Sequence, residues 1–164
     1  MVRFAFFAIL VVLGVTPTFA VNIDDDRRVR EMIAERNYVA AVDELQHLKQ
    51  TNRDIFELNN YDYLLARIAH RSGRYGVAMA NYQLVVLRGS VLRGYALWHL
   101  AELSRTFGNP MLERQYLREM QFTVHESLLD AAAANRIARS FYANGDVKLA
   151  QKEFERLIRG TNSK

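Results

Sequence analysis

Three glycines set 35 and 37 residues apart, Gly73, Gly108 and Gly145, constrain this chain more than any other feature of its sequence. Each stands between two amphipathic stretches, and Arg36 lies a further 37 residues before Gly73. A break that recurs at this spacing reads as a stack of helix hairpins, each too small to bury its apolar face alone. Val29, Met32 and Ile33, then Val39, Val42, Leu45 and Leu48, keep the three-and-four spacing of a helix with one apolar face. Leu65, Ile68 and Ala69 do the same, as do Leu84, Val85, Leu92, Leu97 and Leu100. Gly89-Ser90 marks a further break, and Pro110 follows Gly108-Asn109 where its missing N–H does no harm to a starting helix. The pattern predicts an all-α chain of about eight helices of roughly ten to eighteen residues, joined by short turns.

Aligning the chain on those turns exposes a register. Tyr38, Tyr75 or Val147 follows each turn; three residues on comes Ala41, Ala78 or Ala150, and four beyond that Leu45, Tyr82 or Phe154. Before the turns stand Leu65-Ala66 with Ala69, Leu100-Ala101 with Ser104, and Ile137-Ala138 with Phe141. Paired helices approach closely only where one offers a small side chain, and the large residue a turn away fills the adjoining gap.

With this register the chain resembles the tetratricopeptide repeat family. Gly-Arg-Tyr-Gly-Val-Ala-Met-Ala-Asn-Tyr (Gly73 to Tyr82) and Gly-Asp-Val-Lys-Leu-Ala-Gln-Lys-Glu-Phe (Gly145 to Phe154) look like that family's inter-helix turn and second helix. The likeness runs from about Asp24 to Gly160, roughly four repeats, with Arg36 in place of the first turn glycine and Glu113 in place of the third small residue. It implies a right-handed solenoid of antiparallel helix pairs. A narrower stretch, Ala78 to Met120, resembles the helical, non-catalytic region of bacterial soluble lytic transglycosylases, through Asn81-Tyr82-Gln83, Tyr95-Ala96-Leu97-Trp98 and Gly108-Asn109-Pro110-Met111-Leu112-Glu113-Arg114. The catalytic Glu of those enzymes is followed by Ser, and Glu126-Ser127 copies that pair; the downstream Gly-Leu-Met-Gln-type segment is absent. Glu126 reads instead as an acid near a helix start, where the dipole favours it.

The first twenty residues are of a different kind. Met1-Val2-Arg3 is a short cationic start, Phe4 to Val15 is apolar throughout apart from Gly14, and Thr16-Pro17-Thr18-Phe19-Ala20 ends on a small residue. This is the layout of a secretory signal peptide, residues 1–20, leaving 21–164 as the helical repeat domain. The alternative is an uncleaved anchor, since no charge falls between Arg3 and Asp24 and about twenty residues span a bilayer. Removal of residues 1–20 leaves 21 basic against 18 acidic residues, a net charge of +3, and no stable membrane insertion. No lipobox cysteine is present. The chain has no Cys at all, and no Asn sits in an Asn-x-Ser/Thr site, so the compartment that fits is a bacterial periplasm.

Composition excludes several classes. Half the residues are hydrophobic and 11% aromatic, which argues against disorder, and the lack of thiols rules out disulfide frameworks and Cys-ligated zinc folds. His47, His70, His99 and His125 fall in separate segments with no H-E-x-x-H pattern, so no metal site is expected, nor any other cofactor. There is no glycine-rich phosphate loop and no Gly-x-Ser-x-Gly elbow. Arg27, Arg28 and Arg30 are interspersed with acids and read as a solvated helix face, not a nucleic-acid surface. The chain reads as non-catalytic.

Recognition remains. In the family the chain resembles, the first helix of each pair lines a concave groove. Carried over by register, Arg30, Arg67, Glu102 and Arg139 occupy one groove position; Asp26, Tyr63, Trp98 and Asn135 a second; His70, Arg105 and Tyr142 a third. The expected partner-binding residues are Tyr63, Arg67, Trp98, Glu102, Arg105, Asn135 and Arg139, because aromatic and arginine side chains dominate binding hot spots. The competing reading buries Trp98 and Tyr63 between repeats and leaves the arginines as solvation. Two functions follow: a periplasmic scaffold for a protein or peptide partner of the cell envelope, or a non-catalytic part or companion of a peptidoglycan lytic transglycosylase. The C-terminal helix, with Phe154, Leu157 and Ile158, is expected to expose an apolar stripe. The signal-peptide reading predicts a mature chain beginning at Val21. Intact-mass measurement of protein from a periplasmic extract checks this, and a mass that retains residues 1–20 overturns it.

Overall fold

A computed structural model describes residues 23–123 and 128–161. The expected signal peptide, His125 and Glu126-Ser127 lie outside the described residues. Among those residues the chain is all-helical: α1 (Ile23–Ala34), α2 (Tyr38–Thr51), α3 (Arg53–Leu58), α4 (Tyr61–Arg71), α5 (Tyr75–Leu87), α6 (Arg93–Thr106), α7 (Pro110–Thr123), α8 (Leu128–Ala143) and α9 (Val147–Thr161).

The four aligned turns have one geometry. Arg36, Gly73, Gly108 and Gly145 all take positive φ, at 59°, 76°, 70° and 83°. At each, the turn residue's N–H bonds to the carbonyl three residues back and the next N–H reaches five residues back. At the second turn these are Gly73 N to His70 O, 3.3 Å, and Arg74 N to Ala69 O, 2.9 Å; at the first they are Arg36 N to Ile33 O, 3.0 Å, and Asn37 N to Met32 O, 2.8 Å. The pair of bonds satisfies carbonyls that the helix end would leave open and turns the chain back on itself. Two of the next helices start on side-chain caps: Asn37 Oδ1 accepts from Ala40 N and Asn109 Oδ1 from Leu112 N, at 3.3 and 3.0 Å.

The resulting hairpins, α1/α2, α4/α5, α6/α7 and α8/α9, pack in chain order, α2 meeting α4, α5 meeting α6, and α7 meeting α8. Ala41 and Ala78 are fully buried and Ala150 nearly so, as close helix approach requires. One buried cluster runs from Val29 to Leu103 and a second gathers Leu97, Ala101, Leu117, Met120, Ala133, Ile137 and Phe141. Helix α6 contributes to both, so it is covered on two sides. The last helix has no such cover: Leu149 and Ile158 stay exposed, and Phe154 is 37% exposed where its register equivalents Leu45 and Tyr82 are fully buried.

The expected count of about eight helices is corrected by α3. Asn52 leaves helical geometry at φ −145°, ψ 65°, and a six-residue helix follows whose Phe56 is buried against Tyr61, ring centroids 5.8 Å apart. The sequence reading placed no break there because Asn52 carries no Gly or Pro beside it. No helix among the described residues is long and apolar enough to cross a membrane.

Arg36 holds a left-handed conformation that costs an L-residue roughly 1–2 kcal/mol. Arg36→Gly is expected to stabilise the fold by roughly 0.5–1 kcal/mol, the relief exceeding the added entropy of the unfolded chain. Gly73→Ala is expected to destabilise it by about 1 kcal/mol, although an added Cβ there meets nothing within 4 Å. Thermal denaturation checks the pair; shifts of the same sign overturn the turn argument.

Candidate functional site

The third hairpin breaks the small-residue register. Glu113 stands five residues after Gly108, where the other hairpins carry Ala41, Ala78 and Ala150, and it is 2% exposed. A carboxylate buried at a helix contact must be paired and hydrogen-bonded. Arg136 Nε donates to Glu113 Oε1 at 2.7 Å, and the Ser140 hydroxyl donates to Oε2 at 3.2 Å. Arg114 Nη1 donates to that same hydroxyl oxygen at 3.1 Å, with its guanidinium 4.3 Å from the centroid of the Phe141 ring. Ser140 replaces Ile68 and Leu103 of the earlier hairpins, and Arg136 replaces Leu64 and His99.

This network backs a cavity of about 1050 Å³ between α6 and α8, with Pro110 and Glu113 of α7 and Phe154 of α9 on its wall. Arg136 lies over the indole of Trp98, 4.9 Å from the ring centroid, and its Nη2 is buried with no hydrogen-bond partner in the protein. Arg105, Asn135, Arg139 and Tyr142 also line it. Three arginines against one glutamate make the cavity cationic.

The seven sequence-derived groove residues fall into two neighbouring places. Trp98, Arg105, Asn135 and Arg139 line the cavity. Tyr63, Arg67 and Glu102 lie in a second cluster between α4 and α6, with His70, His99 and Tyr82. There Arg67 Nη1 lies 2.8 Å from His99 Nε2 and 3.3 Å from its Nδ1, and His99 Nδ1 lies 3.2 Å from Glu102 Oε2. The Tyr82 ring stacks on His99 at 5.2 Å and 22°, Tyr63 meets Tyr82 edge-on at 5.9 Å, and His70 meets His99 edge-on at 5.9 Å. His70 Nδ1 and the Tyr82 hydroxyl are buried without a hydrogen-bond partner.

Burial lowers the pKa of both imidazoles, with the Arg67 charge adding to the effect, so both sit below the ordinary histidine value. Burial alone would raise the Glu102 carboxyl, but the hydrogen bond from His99 and the nearby His70 and Arg136 hold it below the usual carboxylate value. Burial pushes the Tyr82 and Tyr63 phenols up. The cluster therefore holds neutral histidines beside an ionised glutamate near neutral pH.

Of the remaining groove positions, Arg30 and Tyr142 are exposed, and the Asp26 side chain lies outside the described residues. The sequence reading did not include Arg136, Glu113, His99 and Tyr82, which the structure places in these two clusters. Only Glu113 carried a signal, as a charge where three hairpins have alanine. No protein-family model, no curated protein and no solved structure matches the chain.

The buried pair gives a stability test. Glu113→Ala restores the small residue but strands the Arg136 charge, and is expected to cost about 3 kcal/mol, since removing one partner of a buried pair leaves the other uncompensated. Adding Arg136→Leu, the side chain present at equivalent position 64, is expected to recover at least half of that loss. Urea denaturation measures both; a double variant no more stable than the single overturns the pairing argument.

Proposed function

We propose that this chain is a non-catalytic, exported interaction scaffold, a right-handed solenoid of about four tetratricopeptide-like repeats whose groove binds an acidic segment of a protein or peptide partner in the periplasm. The observation that carries this reading is the cavity itself: Trp98 stacked under Arg136, whose Nη2 has no partner, with Arg105 and Arg139 on the same wall. Arginine binds carboxylate through paired N–H donors and aromatic side chains add rigid apolar contact, so an acidic side chain or chain terminus beside an apolar one fits this lining. The repeated turn geometry and the recurring small residues support the solenoid. The apolar run at residues 4–15 and the absence of cysteine support export. No nucleic acid fits the reading, and the lining offers no pair of carboxylates facing each other for acid–base hydrolysis.

Trp98 is the one tryptophan of the chain, so its fluorescence reports occupancy of the cavity directly. Titration with a panel of acidic peptides, set against neutral peptides of matched length, is expected to change that signal for the acidic set alone. Arg139→Ala is expected to weaken binding and flatten its salt dependence, because part of the attraction is screened Coulomb interaction. Trp98→Ala, followed by anisotropy of a labelled peptide, is expected to cost about 2 kcal/mol, roughly thirtyfold in Kd. Equal response to acidic and neutral peptides overturns the reading, as does Trp98→Ala unfolding the chain, which makes Trp98 a core residue.

A further inference from the structure

We propose that His70, His99 and Glu102 form a site for one divalent transition-metal ion, of which Zn²⁺ is the best fit, between α4 and α6. The inference goes beyond the binding function above and uses a separate set of ligands. One ligand atom from each of the three residues lies within 4.8 Å of the other two. His99 and Glu102 stand one helical turn apart on the same face of α6, and His70 approaches from α4 across the hairpin boundary. His70 Nδ1 is buried and has no hydrogen-bond partner, so an imidazole lone pair or N–H is left without any group to meet it. A buried polar atom of that kind calls for an occupant.

The donor set selects the ion. Two imidazole nitrogens and one carboxylate oxygen suit zinc and its neighbours, whereas calcium and magnesium require mostly oxygen. A divalent ion binds the neutral imidazole and the ionised carboxylate, so its affinity rises with pH as these donors lose their protons. Three protein ligands leave a fourth tetrahedral position open to water or to an incoming carboxylate. Binding draws the ligand atoms together to roughly 3.4 Å, the edge of a tetrahedron with bonds of about 2.0–2.1 Å. Glu102, whose side chain is 39% exposed, has the freedom to close that gap.

Arg67 opposes the ion and thereby marks it. Its guanidinium sits 2.8 Å from His99 Nε2, an internal cation where a metal ion would bring its own charge. Metal binding requires Arg67 to swing out, which its partly exposed position permits. The site therefore predicts effects of opposite sign: losing a ligand weakens binding, while losing Arg67 strengthens it. A purely structural network of hydrogen bonds has no reason to bind more metal when one of its members is removed.

The experiment uses the full exported chain without a polyhistidine tag, titrated with Zn²⁺ at neutral pH against a chromophoric chelator. One ion per chain is expected. His70→Gln and His99→Gln are expected to weaken binding at least about thirtyfold and Glu102→Gln about tenfold, while Arg67→Gln tightens it several-fold and His47→Gln leaves it unchanged. Circular dichroism checks that each variant keeps its helices. Should a ligand variant unfold, the wild-type chain loaded with Co²⁺ decides: intense visible bands of four-coordinate nitrogen and oxygen ligation are expected. Absence of saturable binding, binding that survives both histidine changes, weakening by Arg67→Gln, or only the faint bands of hexa-aquo-like Co²⁺ each overturns the site.

Discussion

Every hairpin in this chain is closed by one residue held at positive φ, and the packing of all the helices depends on that closure. The two backbone bonds made at Arg36, Gly73, Gly108 and Gly145 end the first helix and aim the second back along it. Five residues later a small side chain lets the second helix come close, so the apolar faces of both meet in contact instead of across a void. A hairpin closed in this way still buries too little to stand alone. Helix α6, covered on two sides and shared by both buried clusters, is where the first half of the molecule is joined to the second.

The departure from that rule at the third hairpin explains the cavity. A glutamate cannot replace an alanine at a helix contact unless its charge is met, and here three register positions change together. Glu113 takes the alanine position, Ser140 takes one held elsewhere by Ile68 and Leu103, and Arg136 takes one held by Leu64 and His99. An apolar set of the same volume would be at least as stable, because desolvating an ion pair offsets most of its Coulomb attraction. A polar set kept here, open to a cationic cavity, is the pattern expected where a sequence gives up stability for a site.

How far the sequence could be read follows from the same physics. Turn positions and helix identity were legible because a left-handed closure favours glycine and an amphipathic face repeats every three to four residues; Arg36 was placed by spacing alone. Helix α3 was not legible, since a six-residue helix has too few turns to show a period and Asn52 ends its predecessor without glycine or proline. Of the seven expected groove residues, Trp98, Arg105, Asn135 and Arg139, drawn from three different register positions, line one cavity, while Tyr63, Arg67 and Glu102 lie in the neighbouring cluster. The register could not show that Arg67 and Glu102 are held by His99, or that Arg136 covers Trp98. The Arg67–His99 and Arg136–Trp98 contacts cross between helices at positions that are not equivalent, and the His99–Glu102 contact lies within α6; His99 and Arg136 stand three residues before the arginine-rich groove position.

The two clusters are adjacent on α6, and that proximity has an electrostatic consequence. Successive residues on a helix point about 100° apart, so Trp98 faces α8 while His99 faces α4. The charges are close enough to interact across the helix: the Arg136 guanidinium already lowers the Glu102 pKa. A carboxylate resting on Arg136 would offset that positive field, which otherwise opposes a cation beside Glu102. A divalent ion held by His70, His99 and Glu102 would in turn add positive field to the cavity and draw an acidic group in. Because coupling between two binding equilibria is reciprocal, each occupant would raise the affinity of the other by the same factor. That factor falls with ionic strength on the side open to solvent and persists where α6 itself, a strip of low dielectric, separates the two charges.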